Sequence, residues 1–328
     1  MSKSSIEWTG FTWNPVTGCD KVSAGCKHCY AEIMHRRLRG MFPEKYSKPF
    51  LGNVQLHEVV LYDPLKWKKD RLVFVNSMSD LFHKDVPFEF VDKVFAVMAV
   101  TQHTFQVLTK RPERLREYFS VNKNELVERW EHAATDLGIT DKKEDPDAAA
   151  CYIFNRCEKE WPLKNIWLGV SCENQEAADL RIPDLLNVPA SVRFLSCEPL
   201  LGPLMLFGQT EKYSYNWLGF GSPNKKIDWV IVGGESGHKA RPMHPDWVRS
   251  LGDQCARASV PFFFKQWGEY IDNQNMPREL VSGNYKQHVF GSGYFSTEVW
   301  KVGKRRAGNV LDGKQHLEFP KVKEVHHA

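Results

Sequence analysis

Apolar residues in this chain come in short continuous runs, and each run ends in a small polar cluster. Leu72-Val73-Phe74-Val75 leads into Asn76-Ser77-Met78-Ser79-Asp80, and Phe105-Gln106-Val107-Leu108 into Thr109-Lys110-Arg111. Ile166-Trp167-Leu168-Gly169-Val170 leads into Ser171-Cys172-Glu173, and Val192-Arg193-Phe194-Leu195 into Ser196-Cys197-Glu198. Trp229-Val230-Ile231-Val232 runs into Gly233-Gly234-Glu235-Ser236, and Pro261-Phe262-Phe263-Phe264 into Lys265-Gln266-Trp267. Runs without polar alternation are strands buried on both faces, the mark of a parallel sheet covered by helices. Val91, Val94, Phe95 and Met98 recur at helical spacing between two runs, as do Val248, Leu251 and Cys255 after the start signal His244-Pro245-Asp246. The pattern predicts an α/β fold, a full or partial (β/α) TIM-type barrel of six to seven parallel strands whose polar ends face one site. A doubly wound open sheet shares this periodicity and stands as the alternative.

Before the first run, Ile6 to Val16 is rich in β-forming aromatics and reads as a short strand. Tyr30, Ile33, Met34 and Leu38 then mark the apolar stripe of a helix ending near Gly40, with Arg36, Arg37 and Arg39 on its polar side. Two regions fall outside the repeat. Residues 120–163 hold the acidic, proline-containing piece Thr140 to Asp147 and read as an insertion or lid between the third and fourth strands. Residues 271–328 read as an irregular C-terminal extension packed on a barrel formed by residues 1–270, with a basic knot at Lys301 and Lys304-Arg305-Arg306.

Between the first strand and its helix lie Cys19, Cys26 and Cys29, spaced C-x6-C-x2-C, with Gly18 and Gly25 just before the first two. Glycines there let the backbone wrap closely around something small. A closed structural zinc site takes four protein ligands, whereas three thiolates on a [4Fe-4S] cluster leave one iron free. A free iron offers a place for S-adenosyl-L-methionine, held through its amino and carboxylate groups. The rival reading is a zinc site completed by His28, His83 or His103.

Composition narrows the setting. The chain has 328 residues, is 42% hydrophobic and carries a formal charge of +4, so any nucleic-acid site is a local patch on a large-cored protein. Neither a signal peptide nor a membrane-spanning run stands out, so the expected location is cytoplasmic and away from membranes. Eight cysteines in that compartment are ligands where clustered and packed thiols where scattered, the latter covering Cys151, Cys157 and Cys255.

Taken together, several stretches resemble a known group. They are Trp13 to Cys19, Cys26 to Ala31, Phe74 to His83, Val107 to Pro112, Trp167 to Ser171, Glu198-Pro199-Leu200, Gly233 to Gly237 and Phe264 to Gly268. The group is the phage-associated three-Cys-motif family, radical-SAM-like and carried as a domain of unknown function. The resemblance implies a barrel of the radical SAM kind and a [4Fe-4S] cluster on Cys19, Cys26 and Cys29. The wider superfamily usually spaces its cysteines C-x3-C-x2-C and binds the methionine amine with a Gly-Gly-Glu-like ridge after the second strand. Here the ridge position holds Asn76, Ser77, Ser79 and Asp80, which take that role by position, and Gly233-Gly234-Glu235 comes four strands later.

The remaining strand-end residues complete the expected site. Tyr30, Ser171, Glu173 and Glu198 are candidate cofactor contacts, since a ribose diol or a cation would partner a buried carboxylate. Lys110, Arg111 and Lys265 are candidate clamps for a phosphate, Gln266 and Trp267 for a base, and Glu235 for another substrate contact. Cys172 and Cys197 read either as late hydrogen-atom or electron donors or as small buried fillers. The expected function is a radical SAM enzyme that draws electrons from a donor and modifies or repairs a phosphate-bearing substrate, nucleic acid or nucleotide. The alternative is a non-enzymatic zinc- or cluster-stabilised module acting with a partner protein in phage or host defence.

Overall fold

A computed structural model describes residues 4, 6–140, 145, 147–209, 214–219, 225–293 and 296–321. All six apolar runs are strands, and with the short N-terminal one they form one parallel sheet. Its members are β1 (Phe11–Trp13), β2 (Leu72–Val75), β3 (Thr104–Thr109), β4 (Ile166–Ser171), β5 (Val192–Cys197), β6 (Trp229–Gly233) and β7 (Phe262–Gln266). Their spatial order is their chain order, so each strand pairs with its predecessor and none is inserted. That order belongs to barrels rather than to doubly wound sheets, whose order reverses at a switch point. The sheet is a half-barrel, because β1 and β7 do not pair with each other.

Helices α1 (Tyr30–Met41), α2 (Phe88–Val100), α3 (Pro112–Tyr118), α4 (Lys123–Asp136), α5 (Ala148–Lys159), α6 (Gln175–Leu186) and α7 (Pro245–Ala258) lie between the strands. The strands bury one face against the helix layer, where Val73, Val75, Val107, Leu168, Val170, Leu195, Val230 and Val232 join residues such as Phe95, Ile182 and Leu251. Their other face lines the inside of the half-barrel with Phe74, Trp167, Phe194, Trp229, Ile231 and Phe263. Trp8, from the segment before β1, fills this interior. Its ring lies 4.8 Å from Phe74, 6.3 Å from Phe194 and 6.4 Å from Trp229. A buried indole in such a nest removes ~150–250 Å² of surface from water and stands in for missing staves.

Three expectations are sharpened or corrected. The region 120–163 is an insertion between β3 and β4 and, among the described residues, no lid: α4 and α5 pack on α2, where Asp92 accepts from Tyr118 at 2.7 Å and from Arg129 at 3.0 Å. Residues 141–144 and 146 of its acidic piece lie outside the described residues. The C-terminal extension is more regular than expected, for β8 (Tyr270–Asp272), β9 (Lys286–Phe290) and β10 (Thr297–Lys301) form an antiparallel sheet in the order β8-β10-β9. It is also fastened to the half-barrel. Phe264 donates its N–H to the His316 carbonyl at 2.8 Å along the outer edge of β7, and Arg249 of α7 binds Asp272 at 3.0 Å and Asp312 at 2.8 Å. Finally, the apolar stripe read on α1 is buried only in part: Met34 and Leu38 pack with Ala31 against Tyr46 and Phe50, whereas Tyr30 and Ile33 are exposed and His35 is buried instead. No helix among the described residues is long and apolar enough to cross a membrane.

Candidate metal centre

The cysteine loop lies over the C-terminal ends of the strands, and its path depends on glycine. Gly18 has φ +87°, and a Cβ there would lie 2.0 Å from the carbonyl oxygen of Asn53. A Cβ at Gly25 would meet the Glu173 carboxyl carbon at 3.1 Å. A short 3-10 turn, Ala24–Cys26, then carries the chain to Cys29, which caps α1.

Four strand ends fix this loop. After β4, Glu173 accepts from the Gly25 N–H at 3.2 Å and from Arg181 at 2.8 Å, and Arg181 also donates to the Ser171 carbonyl at 2.7 Å. Burial works against the charge of Glu173, but Arg181 and a hydrogen bond from Ser23 outweigh it and hold the carboxyl below its ordinary range. After β6, Glu235 is gripped by Arg241 at 2.6 Å and 2.9 Å and lies 3.2 Å from Nδ1 of His28, while Arg241 also reaches the Ala24 carbonyl at 3.0 Å. After β2, the Ser77 carbonyl accepts the Tyr30 hydroxyl at 2.6 Å. After β3, Arg111 donates to Asp80 at 2.9 Å, to the Asp20 carbonyl at 3.2 Å and to the sulfur of Cys19 at 3.5 Å. Burial and the Asp80 carboxylate push the Cys19 thiol up to about 11, with Arg111 acting in the opposite sense.

Many expected contacts therefore meet here, but as supports of the loop. Asp80 is saturated, accepting also from Thr109 at 2.7 Å, Phe82 at 3.0 Å and the Lys110 N–H at 3.0 Å. Ser77 donates to Asn14 at 3.1 Å and Ser79 to the Val16 carbonyl at 2.9 Å. Asn76, with φ 59°, accepts from the Val16 N–H at 3.3 Å, yet its Nδ2 is buried and has no partner among the described residues. Glu198 and Lys265, read apart as cofactor and phosphate contacts, pair with each other at 2.9 Å, and Glu198 also takes the Trp8 indole N–H at 3.0 Å.

Three sets of candidate residues lie away from the open mouth. Cys172 and Cys197 have no exposed surface and lie in the helix-facing core, and burial pushes the Cys172 thiol up to about 12, so both are fillers rather than donors at the mouth. Gln266 is buried and bonded to the Gly234 carbonyl at 2.8 Å, and Trp267 is buried with its N–H on the Val310 carbonyl at 2.8 Å, so neither presents a face to a base. The basic knot also turns inward in part, with Lys304 3.3 Å from Glu7 and Lys301 on the His238 carbonyl at 2.5 Å.

The donor set can be weighed against the two metals. The histidines that zinc would need are engaged elsewhere: His28 with Glu235, His83 with Asp20 at 3.1 Å, and His103 with the Pro64 carbonyl at 3.1 Å. Among the described residues, Asp20, His83 and Asp85 form the one group of three or more whose ligand atoms lie mutually within 4.8 Å. The three sulfurs are thus not drawn around one point, as thiolates on a single zinc would be, about 3.8 Å apart given zinc–sulfur bonds of ~2.3 Å. Sulfurs on different irons of a cube stand further apart, and an N–H donor such as Arg111 beside one of them suits a cluster.

Sequence reasoning missed Arg181, Arg241 and Trp8. Arg181 was findable, since it shares helical spacing with Ala178, Ile182 and Leu185 and so falls on the buried face of α6. A family model described as protein of unknown function (DUF5131) matches residues 3–320. No curated protein and no solved structure matches the chain.

Proposed function

The chain belongs to the DUF5131 family, whose description assigns no activity, and from its own residues we propose that it is an iron–sulfur enzyme of the radical SAM kind, acting on a phosphate-bearing substrate such as a nucleic acid or nucleotide. The observation that carries this reading is the three-thiol loop, fixed by Glu173, Glu235 with Arg241, and Arg111 over the strand ends of a half-barrel, with sulfurs that do not converge on one ion.

Cys19, Cys26 and Cys29 would hold a [4Fe-4S] cluster. When bound, it would supply one electron, taken from an external donor, to S-adenosyl-L-methionine, whose cleavage into methionine and a 5′-deoxyadenosyl radical starts substrate chemistry. The chain's own residues do the placing. Arg111 donates to the Cys19 sulfur and balances the charge of deprotonated thiols. The unpartnered Nδ2 of Asn76, at the end of β2, is a donor suited to the cofactor's carboxylate. Trp8 and the aromatic lining exclude water from beneath the mouth. The family's phage association, implied by resemblance, belongs to the same proposal.

Protein purified without oxygen tests it. The expected result is about four irons per chain, absorbance near ~400 nm that dithionite bleaches, and release of 5′-deoxyadenosine with S-adenosyl-L-methionine and reductant, all lost in Cys26→Ala. One zinc and no iron would overturn it.

A further inference from the structure

Beside the cysteine loop, α1 and the segment 49–51 flank an open groove of about 440 Å³, lined by Glu32, His35, Arg36 and Arg39 on one side and Pro49, Phe50 and Leu51 on the other. Its position is tied to the candidate centre. Cys19 bridges to Leu51 and donates its N–H to the Phe50 carbonyl at 3.0 Å, and α1 starts directly after Cys29. The two sites share a wall.

Arg39 stands four residues from His35 and three from Arg36, which places it beside both on the helix surface. His35 is only 3% exposed, lies edge-on to Tyr46 and Phe50, and makes no hydrogen bond among the described residues. The Glu32 carboxylate is held by Arg36 at 2.6 Å and Lys21 at 3.2 Å. Arg39 has no ion pair among the described residues, which leaves the groove with a surplus of positive charge. Outside it, Lys27, Arg37 and Lys48 are exposed, and the stretch 21–48 exposes one acid, Glu44. Exposed rings of Tyr30 and Phe42 flank the helix at both ends.

A guanidinium without an ion pair, an imidazole without a hydrogen bond among the described residues and an apolar wall match a phosphate joined to a ring. The geometry points to this groove as a subsite for one nucleotide of a single-stranded nucleic acid, its phosphate on Arg39 and His35 and its base against the Pro49 to Leu51 wall. Exposed cations and aromatics carry the strand onward, as in sequence-tolerant single-strand binders. The inference rests on the proposed function in taking a nucleic acid as what reaches the cysteine loop.

The test is fluorescence anisotropy of the oxygen-free full chain with a fluorescein-labelled oligothymidylate, at low and moderate salt. Arg39→Glu should weaken binding at least ~10-fold and lower the salt slope by about one, whereas Lys68→Glu, an exposed cation before the N-terminal end of β2, should change neither. Affinity in Arg39→Glu within about twofold of the native chain, or no binding at low salt, would overturn the groove. Displacement by thymidine monophosphate would support the subsite with a free nucleotide as occupant, and displacement by oligonucleotide alone would support it with a strand. Inorganic phosphate competing as well as the nucleotide would overturn the base wall. Iron content and 5′-deoxyadenosine release, measured without oligonucleotide, decide the proposed function separately. A chain with iron but no oligonucleotide affinity loses only the groove, and one with affinity but no iron loses only the cofactor.

Discussion

The guanidinium of Arg111 stands 3.5 Å from the sulfur of Cys19 while its other contacts tie Asp80 and the Asp20 carbonyl into the same corner. One cation thus links a strand end, a candidate metal ligand and the loop that carries it. Arg111 and Asp80 are both nearly shut off from water, so removing one leaves the other buried without its counter-charge. Arg111→Met should destabilise the fold by ~3–5 kcal/mol in urea unfolding, and the double change Arg111→Met with Asp80→Asn should recover part of that loss. Additive losses in the double variant would mean that the pair is not coupled.

Trp8 lies far from the other strands in sequence and inside them in space. Trp8→Ala should cost ~3–5 kcal/mol through lost burial and the void left behind. Trp8→Phe keeps most of the ring contact and loses the N–H to Glu198, so its cost should be nearer ~1–2 kcal/mol. A loss below ~1 kcal/mol for the alanine variant, read from denaturant midpoints, would show that the N-terminal segment is not part of the core.

The pH response of stability should include a term from His57, whose ring nitrogen pairs with the Thr17 hydroxyl at 2.8 Å. Burial, aided by Lys45, pushes its pKa down to about 4 from an ordinary 6.5. Above 6.5 both folded and unfolded forms are neutral and the group contributes nothing. Between 6.5 and about 4 the unfolded chain takes up a proton that the folded one refuses, so stability falls as the pH falls through that window. His57→Gln should flatten the decline of the melting temperature between these values, and an unchanged slope would remove His57 from the account.

Glycine at position 25 allows the loop to approach Glu173 closely. Gly25→Val should therefore lower the iron bound per chain after anoxic reconstitution, while the far-UV circular dichroism stays native. Gly52→Ala makes a control for loop substitution as such, since its Cβ would meet nothing within 4 Å, although its φ of +71° brings a small cost of its own. Equal iron in Gly25→Val and the native chain would show that the approach to Glu173 does not shape the loop.

The strands were legible because burial on both faces leaves an unbroken apolar run, and Leu72–Val75 or Trp229–Gly233 has no other reading at that length. The convergence of their polar ends followed from strand direction alone. What those ends do was less legible. A lysine or glutamate written after a strand looks the same whether it waits for a ligand or meets a neighbour, and the Glu198–Lys265 pair is set by residues 67 positions apart. Cys172 and Cys197 were ambiguous for a related reason: one lies a single residue past β4 and the other at the last position of β5, where a shift of one residue decides whether a side chain faces the mouth or the helices. The C-terminal sheet escaped notice because exposed Lys286–Phe290 offers little hydrophobic alternation, and it is the antiparallel pairing with Thr297–Lys301 that organises it.

β1 and β7 do not pair with each other, and packing takes the place of the missing ladder: residues 316–318 lie along the outer edge of β7, and Trp8 fills the interior between the two ends of the sheet. A ring closed by strand pairing opens only by breaking backbone hydrogen bonds. One closed by a packed segment can part there first, so the N-terminal segment is the place where this wall can loosen while the seven-stranded ladder stays whole.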